Sequence, residues 1–207
     1  MSGYDPHYLA RISSLLNFHS YCMHSDLERR VLDCGAGGKL TPLLFFTKEG
    51  YESFGVDISQ RAIENALDLG IRNDVKLDIR VGDIRSLNFP DESMSFVYTY
   101  NTVFHLPGED IQRTLSEMSR VLRPEGLMYV NLLSVEDASY GEGEEVGDHT
   151  FLSHGELHTF HRDEDADQLF EGLSMIRKTK RVDHYYEDGG KRAYIDVIAR
   201  KSPSPKV

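Results

Sequence analysis

Three aspartates in the first half of the chain each close a short apolar run: Asp33 in VLDCGAGG, Asp57 in FGVDIS and Asp83 in IRVGDI. The first is followed at once by Gly35-Ala36-Gly37. A carboxylate at a strand end accepts hydrogen bonds from hydroxyl or ammonium groups, and charge-assisted bonds of this kind are the strong ones. Glycine inside regular structure costs roughly 0.5–1 kcal/mol relative to alanine. Its repetition here predicts a backbone that bends tightly and meets a ligand with no Cβ in the way, ahead of a helix whose first N–H groups are free.

A second set of candidates is histidine-rich. His105 follows the apolar run SFVYTYN by a few residues, where a general base would stand. His149, His154, His158 and His161, with Glu156, crowd the stretch HTFLSHGELHTFHR. His154 and His158 have the spacing of one helical turn, but Gly155 and the β-branched and aromatic neighbours oppose a helix. No metal is therefore expected from that pair.

The elements that must position these residues follow from periodicity. Asp5-Pro6 is a helix start, with a capping carboxylate and then proline at the first helical position. HYLARISSLLNFHSYCMH continues it at helical spacing. VLDCGAG reads as a first strand entering a turn, LTPLLFFTKEG as a helix closed by Gly50, and YESFGVDIS as a second strand. QRAIENALDLG reads as a helix closed by Gly70, and DIRVGDI and SFVYTYN as strands. EDIQRTLSEMSRVL is an amphipathic helix stopped at Arg123-Pro124, and LMYVNLLS is a fifth strand. Residues 135–162 read as a long polar loop with some extended structure, and DEDADQLFEGL as a short helix. Two alternating runs joined at Asp188-Gly189-Gly190 make a terminal hairpin. Strands alternating with helices give an α/β fold: a seven-stranded, mostly parallel sheet with helices on both faces and an antiparallel C-terminal hairpin. Ligands in such sheets bind beyond the carboxyl ends of the strands, near the point where strand order reverses.

The chain has 207 residues, 40% of them hydrophobic and 28% charged, which suits one domain of ordinary size. Its net charge of −11 argues against nucleic acid, which needs a concentrated positive surface. RKTKR (177–181) reads as a solvated strand face. No run approaches the roughly 20 apolar residues of a membrane span, and the N-terminus lacks a signal-peptide pattern. Cys22 and Cys34 make no disulfide framework, so a cytoplasmic, reducing setting is expected.

Gly35 opens G-A-G-G-K-L, with Leu40 where the third glycine of a dinucleotide fingerprint should stand. A carboxylate at Asp33 would also sit beside a pyrophosphate. An NAD-dependent oxidoreductase is thus the weaker reading. The motifs together resemble those of class I S-adenosylmethionine-dependent methyltransferases, in the broad small-molecule group that includes ubiquinone-biosynthesis-like and tellurite-resistance-like enzymes. The family's D/E-x-G-x-G stands as Asp33-Cys34-Gly35-Ala36-Gly37, with Lys39 in place of a third glycine. The acid ending strand two is Asp57, and GDIRSLNFPDESMSFV and LSEMSRVLRPEGLMYV match the later motifs.

The resemblance implies a Rossmann-like fold over residues 1–201, with 1–29 as a cover helix, 135–162 lining an acceptor site and 202–207 as a flexible tail. It implies S-adenosyl-L-methionine as cofactor, S-adenosyl-L-homocysteine as product and a small-molecule methyl acceptor. Asp33 and the Gly35–Ala36–Gly37 backbone would meet the methionine moiety, and Asp57 the ribose hydroxyls. Ile58 would pack on the adenine, Asp83 and Ile84 would meet its edge, and Asn101 would contact the ammonium group. Phe104, His105, His158 and His161 are the acceptor-lining candidates, with His105 the candidate base. A cofactor-binding module without turnover is the alternative from a non-enzyme class. Oligomeric state is left open by the sequence.

Overall fold

The computed structural model describes residues 4–184 and 190–203. Asp188 and Gly189 of the expected hairpin turn, and residues 204–207 of the expected tail, lie outside them. Two helices, α1 (Pro6–Arg11) and α2 (Ser13–Met23), lead into strand β1 (Arg30–Cys34). There follow α3 (Leu43–Lys48), β2 (Glu52–Asp57), α4 (Gln60–Arg72), β3 (Asp78–Val81) and β4 (Met94–Thr99). A 3₁₀ turn (Val103–His105) and α5 (Gly108–Val121) precede β5 (Leu122–Ser134). The chain then forms β6 (Glu144–Gly147), β7 (Thr150–Ser153), β8 (Glu156–His161), α6 (Asp163–Leu169), β9 (Leu173–His184) and β10 (Lys191–Lys201).

The seven expected strands are adjacent in the order β3-β2-β1-β4-β5-β10-β9. β1 to β5 pair in parallel, whereas β10 runs antiparallel to both β5 and β9. The central strands are buried on both faces, so they read as unbroken apolar runs. All six residues of β4 are buried. Their period-2 alternation sorts side chains between two cores. Val31, Phe96, Tyr98, Tyr129 and Ile198 face α1, α2 and α3. Leu32, Val97, Met128, Val130 and Val197 face Ile111, Leu115 and Met118 of α5 and Ala166 beside Phe170 at α6.

Several boundaries differ from expectation for local reasons. The N-terminal helix breaks at Ile12 (φ −99°, ψ 16°), which splits α1 from α2. Gly70 does not close α4; the helix runs on to Arg72 and caps at Asn73. Glycine is needed at 70 because a Cβ there would lie 2.7 Å from the Val75 carbonyl oxygen, while its own carbonyl accepts from the Val75 N–H. Gly50, by contrast, does close its helix, at φ +81°.

The largest departure is at 135–162. The segment is a three-stranded meander, β6-β7-β8, whose last strand pairs in parallel with the end of β5 through Leu133–Phe160 and Ser134–His161. It extends the sheet to ten strands. Thr150, Phe151, Thr159 and Phe160 are buried, and the phenylalanines join Phe104, Leu133 and Tyr194 in a small core. His154 and Gly155 both take positive φ (52° and 83°) between the paired Ser153 and Glu156, the geometry of a tight two-residue hairpin. Histidine in that corner hides a turn that Asn-Gly would have announced.

Phe18 anchors the helical layer. It is fully buried, with its ring 5.7 Å from Tyr129 and 6.3 Å from both Phe46 and Tyr98. Phe18→Ala should lower unfolding free energy by about 3–5 kcal/mol. Denaturant melts that show a loss below about 1 kcal/mol would mean that α2 is not part of the cooperative core.

Candidate active site

A cleft of about 1100 Å³ opens beyond the carboxyl ends of β1, β2, β3 and β4, with α1 along one rim. It spans the β1/β4 junction, where the strand order reverses. Its floor is the turn after β1. Gly35 takes φ +104°, and a Cβ there would sit 2.1 Å from Thr102 Oγ1. Gly37 is required for space: a Cβ would lie 2.5 Å from both Asp57 Oδ2 and the Ala62 Cβ. Gly38, not singled out in the sequence, takes φ +102° and also lines the cleft. Ala36 is buried beneath the turn, its methyl group filling the space over Gly55.

The amides of this turn point inward. Gly35 and Ala36 both donate to the Val56 carbonyl (2.8 and 3.0 Å), Gly37 donates to Asp57 Oδ2 (2.9 Å), and Gly38 donates to the Ala62 carbonyl (2.8 Å). Helix α3 starts only at Leu43, so its N-terminus is not at the glycines. The amides of Gly35 to Gly38 are thus all engaged within the fold, contrary to the expected helix-end donors at the glycines.

The three aspartates sit in three environments. Asp57 is held by two amides, Ser59 N–H on Oδ1 (2.8 Å) and Gly37 N–H on Oδ2 (2.9 Å), and faces the cleft. The side chain of Ser59, not Asp57, caps α4. Asp83 is clasped by Arg85, which donates from Nε and Nη2 at 2.7–3.0 Å and reaches Asp110 with Nη1 (2.6 Å). The guanidinium holds the Asp83 carboxyl below its ordinary range. Asp33 is fully buried and does not line the cleft. Tyr98 donates to its Oδ2 (2.8 Å), whereas Oδ1 has no hydrogen-bond partner among the described residues; the Thr41 hydroxyl lies close enough to favour the charged form. Burial outweighs these contacts and pushes the carboxyl up to about 8.

Ile58 is 69% exposed at the cleft, an apolar surface of the kind a flat ring covers, and Ile84 also lines it. Asn101 is held at φ +54° by a reciprocal pair: its N–H donates to Asn131 Oδ1 (2.8 Å) and Asn131 Nδ2 donates to its Oδ1 (2.6 Å). α1 is tied across the opening. The Tyr8 hydroxyl donates to the Thr41 carbonyl (3.0 Å), and the Tyr100 hydroxyl donates to the Arg11 carbonyl.

Of the four acceptor-lining candidates only His105 lines the cleft. Phe104 is buried in the small aromatic core beneath. His158 lies beside His105, ring centroids 5.0 Å apart, away from the opening. His161 falls on the opposite face of β8 from His158, by the strand's period of two, and is buried. Burial pushes its imidazole down to about 4.

The C-terminal hairpin supplies residues that sequence reasoning did not find. Arg181, Asp183 and Tyr194 line the cleft, with the Arg181 guanidinium 4.2 Å over the Tyr194 ring and its Nε donating to Asp196 (2.8 Å). Arg181 is thus not on a solvated face, as RKTKR suggested. The i, i+2 pair Arg181/Asp183 on an alternating strand was the available signal.

Residues 32–130 match the family profile described as "Methyltransferase domain". Those residues, just under half of the chain, are similar to a methyltransferase domain. The chain is 29% identical over 99 residues to 27-O-demethylrifamycin SV methyltransferase of Amycolatopsis mediterranei (strain S699), covering 47% of this chain and 36% of that protein. It is 23% identical over 189 residues to phosphoethanolamine N-methyltransferase of Triticum aestivum, covering 82% of this chain and 36% of that one. The chain thus spans about a third of the length of the curated relatives it matches. A solved structure from Methanosarcina mazei, described as a SAM-dependent methyltransferase, superposes with a TM-score of 0.75 at 19% identity, covering 88% of this chain and 98% of that one. The matched residues contain the glycine turn, Asp57, Asp83 and Asn101, whereas α1, the β6-β8 meander and the terminal hairpin lie outside them.

The pH dependence of stability follows from Asp33. Its raised pKa means that between the ordinary carboxylate value and about 8 the folded chain holds a proton that the unfolded chain has released. Stability contributed by this group is therefore present at low pH and falls as pH rises through that window. Asp33→Asn removes that dependence: wild type and variant should differ more in the wild type's disfavour at pH 8 than at pH 5. Parallel denaturation curves at the two pH values would show Asp33 ionised at both.

Proposed function

We propose that the chain transfers a methyl group from S-adenosyl-L-methionine to a small, polar organic acceptor. One observation carries the reading: the glycine turn that forms the cleft floor has its amides turned inward above a buried carboxylate with one unpartnered oxygen. That floor suits a ligand bearing positive charge and no phosphate. Asp57 would accept the two ribose hydroxyls, Ile58 and Ile84 would flank the ring system, and Asp83, fixed by Arg85, would sit at the ring's edge. A cationic ligand near Asp33 stabilises its ionised form, offsetting part of its burial.

When bound, the cofactor supplies a methyl group already activated by its sulfonium. The protein's task is then to place a nucleophile about 3 Å from that carbon and to exclude water. α1, hydrogen-bonded at Tyr8 and Tyr100, closes one side of the cleft, and the stacked Arg181–Tyr194 pair closes another. Ligand pockets typically run about 300–1,000 Å³, so a cleft of about 1100 Å³ has room for a cofactor and an acceptor together. His105, Arg181 and Asp183 give the acceptor end a polar lining. The names of both curated relatives specify small-molecule acceptors, in keeping with this reading.

Titration calorimetry with S-adenosyl-L-homocysteine tests the cofactor half. Asp57→Ala should weaken binding by about 1.5–3 kcal/mol, the worth of charged hydrogen bonds to a buried partner, and an unchanged isotherm would remove Asp57 from the site. Incubation with methyl-labelled S-adenosyl-L-methionine and a metabolite extract tests turnover. Label should appear in a small molecule, and His105→Ala should reduce its rate without altering homocysteine-product affinity. Tight cofactor binding with no label transferred to any fraction would leave a binding module in place of an enzyme.

A further inference from the structure

The fold assembles a histidine–carboxylate cluster that neither the sequence spacing nor the methyltransferase match contains in full. His105, at the end of the 3₁₀ turn, meets Glu156 and His158 of β8, and one ligand atom of each lies within 4.8 Å of the other two. We propose that these three side chains bind one divalent transition-metal ion at the acceptor end of the cleft.

The placement is built from both sides. Glu156 and His158 are two apart on one strand, so they project from the same face. The tight turn at His154-Gly155 fixes where that face begins. Two hydrogen bonds clamp the strand to the segment carrying His105: His105 Nδ1 to the Leu157 carbonyl (3.1 Å), and Thr159 Oγ1 to the Leu106 carbonyl (2.6 Å). The first also sets chemistry. A carbonyl only accepts, so Nδ1 carries the proton and Nε2 keeps its lone pair for a metal, the outer-shell arrangement common to metal-bound histidine. The Glu156 carboxylate makes no ion pair or side-chain hydrogen bond among the described residues and is exposed, so it can ligate.

The donor set selects the ion. Two imidazoles and one carboxylate suit Zn²⁺, Co²⁺, Ni²⁺ or Fe²⁺ better than Mg²⁺ or Ca²⁺, which prefer all-oxygen shells. Bonds of about 2.0–2.2 Å in tetrahedral geometry place two ligand atoms about 3.3–3.6 Å apart, so atoms at the 4.8 Å limit must close by up to about 1.5 Å. His105 and Glu156 are exposed and can rotate to do so. Three protein ligands leave positions open, and His105 faces the cleft. A hydroxyl or thiol of the acceptor bound there would release its proton to solvent more readily, because the cation stabilises the resulting anion. Metal binding does not depend on the proposed methyl transfer; only this effect on the acceptor rests on it.

The test uses the full chain, stripped with a chelator and titrated with Co²⁺ and then Zn²⁺ in the absence of cofactor. One equivalent should bind with Co²⁺ bands in the visible range. His105→Gln, Glu156→Gln and His158→Gln should each weaken binding tenfold or more. His149→Gln and His154→Gln, from the same stretch but outside the cluster, should not. Thermal melts of every variant separate lost ligation from lost folding. The proposal is overturned if no saturable uptake occurs below 100 µM metal, or if uptake survives all three cluster substitutions, or if the control substitutions abolish it equally. S-adenosyl-L-homocysteine binding, measured on the same stripped sample, reports separately on the cofactor site.

Discussion

The carbonyl of Val56 holds the site together. It accepts the amide protons of Gly35 and Ala36, and with Asp57 and Ala62 it draws the whole turn after β1 down onto β2 and α4. This is possible only where Cβ atoms are missing, because Gly35 abuts Thr102 and Gly37 abuts Asp57. The same contacts that fasten the loop also aim the carboxylate of Asp57, since the Gly37 amide is one of its two anchors. Loop shape and the cleft-facing acid at Asp57 are thus one structure. A change at either would be felt at the other.

Electrostatics then differentiate positions that look alike in sequence. Asp33, Asp57 and Asp83 all end parallel strands, yet one is buried with a raised pKa, one is held by amides at the cleft and one is neutralised by an arginine. What separates them is the direction each side chain takes from its strand. Asp33 points with Val31 into the aromatic layer under α1 and α2, where Tyr98 is its hydrogen-bond donor. Asp57 is the last paired residue of β2 and Asp83 lies two residues beyond the end of β3, and both line the cleft.

The parallel core was legible because its signals are local. Apolar runs closed by aspartate, glycine turns and one strongly amphipathic helix each state their structure within a few residues, as in DCGAG or EDIQRTLSEMSRV. The cleft floor was legible for the same reason. The rim was not, because it is made of long-range contacts between weakly patterned segments. Arg181 reads as one more charge in RKTKR until β9 folds against β10 and lays it over Tyr194. The β6-β8 meander escaped because its turn uses histidine where asparagine is customary, and because its apolar residues do not alternate: Phe151 and Leu152 are adjacent in β7, and Leu157 and Phe160 are three apart in β8. Phe104 and His161 were misplaced by the same gap: spacing alone does not say which face of a strand or turn meets solvent.

Among the described residues β9 pairs only with β10, so roughly half of the backbone N–H and C=O groups of this strand face outward along the end of the sheet. Such a margin is a template on which a second polypeptide could add a strand. Arg177, Lys178 and Lys180 stand along it, and the two lysines are tethered to Asp167, Glu136 and Asp163. An incoming chain would have to strip water from these charges before its own amides could pair. The basic cluster that looked like idle surface thus shields the sheet from aggregation, and it leaves Arg181 at its inner end for the cleft.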